Sequence, residues 1–129
     1  VYLAPAGVNT VLRPGLRVQT RPPGLTQYHV PGVDAAFVSA AATCAEGALG
    51  VLLTGMGRDG ADGLLTMRSA GALTIGQDEP TSVVWGMPAA AQALGAVAVE
   101  LPLSEIAAAI LAAVRGPVEA VAGGESRAE

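Results

Sequence analysis

The chain has 129 residues, room for one compact domain, and an apolar content of 51% that can supply a core. Its one cysteine, Cys44, excludes an intrachain disulfide and fits a reducing, cytoplasmic setting, and one histidine beside one cysteine is too few for the usual zinc ligand cluster. The net charge is −4; Arg13, Arg17 and Arg21 all precede the first acid, Asp34, and three spaced cations read as a solvated strand edge rather than a nucleic-acid footprint.

Val1 to Ala4 is an apolar run expected to be a short strand. It starts without a cap or turn, as though sequence upstream had been removed. Val11-Leu12 and Leu16 to Thr20 flank Arg13-Pro14-Gly15 and predict a two-stranded ribbon around a Pro-Gly turn. Arg21 to Pro31 reads as a loop. Val33, Phe37, Ala40, Ala41 and Cys44 recur at helical spacing, with Asp34 in the first turn.

Leu49 to Thr54 is a continuous apolar run, the pattern of a strand buried on both faces of a parallel sheet. A helix to about Ser69 follows the Gly-rich turn Gly55 to Gly60, with Leu64, Leu65 and the stem of Arg68 toward the sheet. Ala72 to Ile75 is the next strand, Gln77 to Pro88 a loop, Ala89 to Leu94 a short helix and Val97 to Val99 a strand. Leu103, Ile106, Ala107, Ile110, Leu111 and Val114 form the stripe of a last helix, which Gly116-Pro117 should end. The alternation gives an α/β class with a doubly wound, mostly parallel sheet, flanking helices and a small N-terminal ribbon. Residues 1–114 read as the folded portion and 115–129 as a flexible tail. Pro80 to Val99 lacks charge but is too interrupted for a membrane span, so no membrane insertion is expected.

Sites on such sheets form beyond the carboxyl ends of the strands, where Gly55-Met56-Gly57-Arg58-Asp59-Gly60 falls. Free N–H groups of this turn can hold a developing oxyanion, and a carboxylate there can orient a histidine. Asp59 also reads as an N-cap, with Asp62 three residues on. The turn lacks the Lys-Ser/Thr of a phosphate loop. Asp78 and Glu79 suit loop solvation better than joint chemistry, since neighbours in extended backbone point opposite ways. Ser82 has no nucleophile-elbow sequence around it. Trp85, Met87 and Pro88 offer either an apolar rim or core packing. His29 with Ser82 or Ser39 and Asp59 spells a triad on paper, without support from spacing, and Cys44 reads as a small core residue.

The run GVLLTGMGRDGADGLLTMRSAGALTIGQDEPTSVVWGMPAAAQALGAV resembles the catalytic domain of the chemotaxis protein-glutamate methylesterases, the CheB family. VYLAPAG, PPG, HVPGVDAAFVSAA and LPLSEIAAAIL extend the resemblance over residues 1 to about 114. It implies a Ser-His-Asp enzyme that hydrolyses glutamate methyl esters and deamidates glutamine on the cytoplasmic domain of methylated chemoreceptors, without metal or organic cofactor. By motif, the catalytic aspartate falls on Asp59. The oxyanion turn falls on Met56 and Gly57, and Trp85 and Met87 are left as a substrate rim. The segments that carry the serine and histidine have no counterpart in this sequence, and His29 matches another position. A fragment holding only the aspartate is expected to be inactive alone. The resemblance also implies a phosphoacceptor regulatory domain in the longer protein.

Tyr28-His29-Val30-Pro31-Gly32-Val33-Asp34 departs from the family's Arg-His-Arg-Pro-Ser-Val-Asp by two cations and a hydroxyl. Glu79-Pro80-Thr81-Ser82 replaces the family's Glu-Ala-Ser-Cys. The alternative reading is a non-catalytic relative that binds a receptor or partner protein through the same crevice.

Overall fold

The computed structural model describes residues 1–124. β1 (Asn9–Arg13) and β2 (Arg17–Arg21) pair antiparallel, with Val11 opposite Gln19 and Arg13 opposite Arg17. This is the ribbon expected from the Pro-Gly turn. Helix α1 (Val33–Cys44) closes the other edge of β1. Ser39 Oγ accepts the Leu12 N–H at 2.9 Å and donates to the Ala36 carbonyl at 2.7 Å, while Thr43 Oγ1 donates to the Leu12 carbonyl at 3.3 Å. The two hydroxyls satisfy backbone groups that a bare edge strand would expose.

A 3-10 turn (Ala45–Gly47) leads into β3 (Leu49–Leu52), followed by α2 (Ala61–Ser69), β4 (Leu73–Gln77), α3 (Met87–Ala93), β5 (Val99–Leu101) and α4 (Leu103–Gly124). The three strands form one parallel sheet in the order β3-β4-β5, with Val51 beside Ile75 and Ile75 beside Val99. Gly50, Leu52, Thr74 and Gly76 share one face by this register. Leu64 and Met67 of α2 pack on that face, where a Cβ on Gly50 would come within 2.7 Å of Leu64 Cδ1 and 2.9 Å of Met67 Sδ. Leu52, Ala61, Leu64, Met67, Ala91 and Val97 form the centre of the core.

Several expectations shift. Val1 to Ala4 is exposed and has no regular structure, because no strand pairs with it among the described residues. Met67 takes the buried position on α2, and Arg68 is exposed with its guanidinium donating to the Gly95 and Val97 carbonyls. β3 is covered on one face only: Leu49 and Val51 are half-buried and Leu53 is exposed. The last strand begins at Val99, because Ala96 and Val97 are buried in the connection, where Thr74 Oγ1 donates to the Ala96 carbonyl at 2.6 Å. α3 starts at Met87, with Pro88 in the first turn where its missing N–H costs nothing. α4 continues through Gly116-Pro117 to Gly124, so the Gly-Pro pair does not end it, although an interior proline removes one hydrogen bond of the ladder and crowds the carbonyl four residues before it. The span 115–129 expected as a tail overlaps this helix as far as Gly124, and residues 125–129 lie outside the described residues.

Candidate functional site

The loop after β3 crosses the carboxyl end of the sheet and is fixed at its base. The Gly55 N–H donates to the Val84 carbonyl at 3.0 Å, and the Gly55 carbonyl accepts from Gly86 and Met87 at 3.1 and 2.8 Å. Gly55 also bridges to Trp85. A Cβ on Gly55 would collide with Met87 Sδ, so the loop sits directly on the start of α3. Met56 is 82% exposed at the tip, and Gly57 has φ +92°. No protein acceptor among the described residues engages the Met56 or Gly57 N–H.

Asp59 ends this turn, half-buried, but it does not cap the helix it precedes. Its Oδ2 accepts the Val33 N–H at 2.9 Å and its Oδ1 accepts the Asp34 N–H at 3.0 Å, so it caps α1. Asp34 returns the interaction: its Oδ1 accepts the Gly60 N–H at 3.0 Å and the Gly63 N–H at 2.7 Å, at the start of α2. Each carboxylate thus meets the partial positive charge at the start of the other helix. A carboxylate has about four lone-pair positions, so both Asp59 oxygens retain capacity for a further donor.

A second network holds the loop from below. Gln77, at the end of β4, is 1% exposed. Its Oε1 accepts the Thr54 N–H at 2.8 Å, and its Nε2 donates to the Thr81 carbonyl at 2.8 Å. Its own carbonyl accepts from Trp85 Nε1 at 3.0 Å. Thr54 Oγ1 donates to the Val84 carbonyl at 3.0 Å and accepts the Val84 N–H at 2.9 Å. Trp85 and Met87 are both half-buried, and Met87 packs against the core. Gln77 is expected from the sequence at the start of a loop, whereas it ends β4, and the mutual capping is not foreseen there; a polar side chain closing an apolar strand was the available signal for Gln77.

A cleft of about 370 Å³ is lined by Asp59, Asp34, Arg58, His29, Tyr28 and Gln27. His29 shares this cleft, yet Asp59 bonds to backbone N–H groups and the His29 ring meets Tyr28 edge-on at 5.1 Å. Ser39 is occupied against β1, and Ser82 Oγ donates to the Asp78 carbonyl at 2.7 Å. The triad that could be written from His29, Ser39 or Ser82 and Asp59 is not joined by hydrogen bonds among the described residues. Asp78 Oδ1 accepts the Thr81 N–H at 3.1 Å in its own loop, and Glu79 is exposed. Cys44 is half-buried at the end of α1. Among the described residues no cluster of three or more potential metal ligands occurs, and no helix is long and apolar enough to cross a membrane.

A three-stranded parallel sheet with flanking helices, an N-terminal antiparallel ribbon, and a fixed carboxylate and unengaged turn N–H groups beyond the carboxyl ends of its strands defines a partial α/β domain; the described strands run in sequential order without the reversal of a doubly wound sheet. Residues 1–110 match the CheB methylesterase family model. The protein-glutamate methylesterase/protein-glutamine glutaminase 1 of Rhizobium johnstonii is 51% identical over 116 residues, covering 86% of this chain and 33% of that protein. The corresponding protein of Gluconobacter oxydans is 60% identical over 83 residues, covering 64% of this chain and 24% of its own length. The crystal structure of the Thermotoga maritima CheB methylesterase catalytic domain aligns with a TM-score of 0.76 at 30% identity, covering 81% of this chain and 57% of that one. The chain belongs to the CheB methylesterase family. It spans about a third of the length of the curated relatives it matches.

Proposed function

We propose that this chain supplies the aspartate arm and the oxyanion turn of a protein-glutamate methylesterase and glutaminase acting on the cytoplasmic domain of chemoreceptors. The serine and histidine of the triad come from sequence outside it. The observation that carries this reading is Asp59, held by two backbone N–H groups at the carboxyl end of the sheet with lone pairs to spare. In the reaction, the serine Oγ attacks the ester carbonyl while the histidine takes its proton. Asp59 holds the imidazole tautomer and stabilises the imidazolium. N–H groups at Met56 and Gly57 receive the oxyanion. The tetrahedral intermediate expels methanol, or ammonia from glutamine, protonated by the histidine. Water then cleaves the acyl-enzyme to give the glutamate carboxylate. Trp85 forms the apolar rim, with Met87 supporting the turn beneath it. No step needs a metal or organic cofactor. A phosphoacceptor domain in the longer protein and a cytoplasmic location belong to the same proposal.

The test is methyl-ester hydrolysis by the protein at its full natural length. Asp59→Asn should lower kcat by about 10⁴, the scale seen when a triad aspartate becomes an amide. Retention of the full rate by Asp59→Ala ends the proposal. The 129-residue chain alone should show no serine-dependent rate.

A further inference from the structure

The arginines of the ribbon lie together and are left without anionic partners. Arg17, Gln19 and Arg21 alternate along β2 and so share a face, and Arg13 is the cross-strand partner of Arg17. Like charges directly opposite on a ladder repel. Nothing among the described residues relieves this: the one ion pair is Arg58–Asp62, on α2 and the loop before it. All three ribbon arginines are exposed. Residues 1–33 carry three arginines and no acid, whereas residues 34–129 carry four arginines and eleven acids, a net of −7. The positive patch therefore stands alone on a strongly negative chain.

Its position matters as much as its sign. Arg13 and Arg21 line a cleft of about 670 Å³ between the ribbon and α1, which also includes Asp34 and Ala35. Asp34 and Ala35 line the Asp59 cleft as well. The two clefts thus meet at Asp34 and Ala35, which places Arg13 and Arg21 in the cleft next to the candidate site.

We propose that the Arg13/Arg17/Arg21 face docks an acidic, glutamate-rich segment of the protein substrate beside the reacting side chain. This rests on the methylesterase reading, in which each turnover exposes a glutamate carboxylate on the substrate. Charge separation on the chain favours such a segment over a nucleic acid. A short acidic segment meets the ribbon only, whereas an extended polyanion also meets the net −7 of residues 34–129.

The test compares the full-length protein with its Arg13→Gln/Arg17→Gln/Arg21→Gln and Arg→Lys triple variants. The probes are a fluorescein-labelled glutamate-rich helical peptide, the same peptide with glutamine for glutamate, and a duplex DNA, followed by anisotropy at low and high salt. The wild type should bind the glutamate peptide with an affinity that falls as salt rises. The glutamine triple should bind it about tenfold more weakly at low salt, a gap that closes at high salt, as expected for three exposed charges. The lysine triple should retain most of the affinity. Equal binding by wild type and glutamine triple, equal binding of the two peptides, or tighter binding of DNA overturns the proposal. Should the glutamine triple fail to fold, salt-independent binding by the wild type overturns it equally. The two proposals separate cleanly. Peptide binding that needs the arginines, without ester hydrolysis, keeps the docking face and removes the methylesterase reading. Ester hydrolysis of a glutamate-rich substrate with kcat/KM unchanged in the glutamine triple does the reverse.

Discussion

Asp34 and Asp59 each cap the helix that the other one adjoins: Asp59 binds the first N–H groups of α1, and Asp34 binds those of Gly60 and Gly63 at α2. The two helices approach closely at this point, where a Cβ on Gly63 would lie 2.8 Å from Phe37 Cβ. Locking their starts together places Asp59 relative to both, so the candidate acid is fixed by tertiary structure and not by its own loop.

Asp34→Ala tests that lock. It leaves the Gly60 and Gly63 N–H groups without their acceptor and should destabilise the full-length protein by about 1–2 kcal/mol, the usual cost of a lost N-cap. Asp34→Asn retains an oxygen and should cost only a few tenths to about 0.5 kcal/mol. Urea midpoints at constant m measure both. Equal losses for the two variants would show that charge, not acceptor geometry, is what the position needs.

Gly60 is the residue on which the lock turns. Its φ is +100°, and a Cβ would lie 2.9 Å from both Leu52 Cδ1 and Val33 Cγ1. Gly60→Ala therefore combines left-handed strain with overpacking and should cost about 2–4 kcal/mol. Thermal unfolding of the full-length variant reads this out. A shift in Tm no larger than that of an exposed alanine substitution contradicts it.

Much of this was legible in the chain itself, and what was not has a physical pattern. The Pro-Gly ribbon, the helical spacing from Val33 and the apolar run from Leu49 gave the right elements in the right order, because local periodicity and turn chemistry decide them. The Gly55 to Gly60 turn was correctly placed at the carboxyl end of β3. Asp59 as a cap was half legible: it does cap a helix, but α1 rather than α2. A one-dimensional reading sees only the nearest helix, and the partner here lies 25 to 26 residues away. Val97 misled for a related reason, since burial in a connection and burial in a strand select the same apolar residues.

Gln77 carries the second network, and its removal should be felt at the sheet end. Gln77→Leu strips the Thr54 N–H and the Thr81 carbonyl of their partners in one step. Both of those residues are partly open to water, so the expected cost is about 1–3 kcal/mol rather than the full penalty for sealed groups. Chemical denaturation gives the magnitude. Trp85 is the only tryptophan and bonds to the Gln77 carbonyl, so its emission should shift to the red as the loop loosens. An unshifted spectrum would mean that the Trp85 loop is held without the Gln77 side chain.

Trp85 itself distinguishes a binding surface from a support. Its ring is half-buried, while its Nε1–H ties the loop to β4 at 3.0 Å and its backbone bridges to Gly55. Trp85→Phe keeps most of the area and removes only the donor. If the donor positions the Gly55 to Gly57 turn, the loss falls on kcat, by up to about fivefold for one net hydrogen bond of about 1 kcal/mol. KM should stay within about twofold, because uniform contact with the substrate is preserved. Trp85→Ala should then raise KM in addition, since it deletes the surface as well as the tie. Were Trp85→Phe to raise KM and spare kcat, the ring would be acting on the substrate alone, and the turn would owe its position to the Gly55 carbonyl and the start of α3.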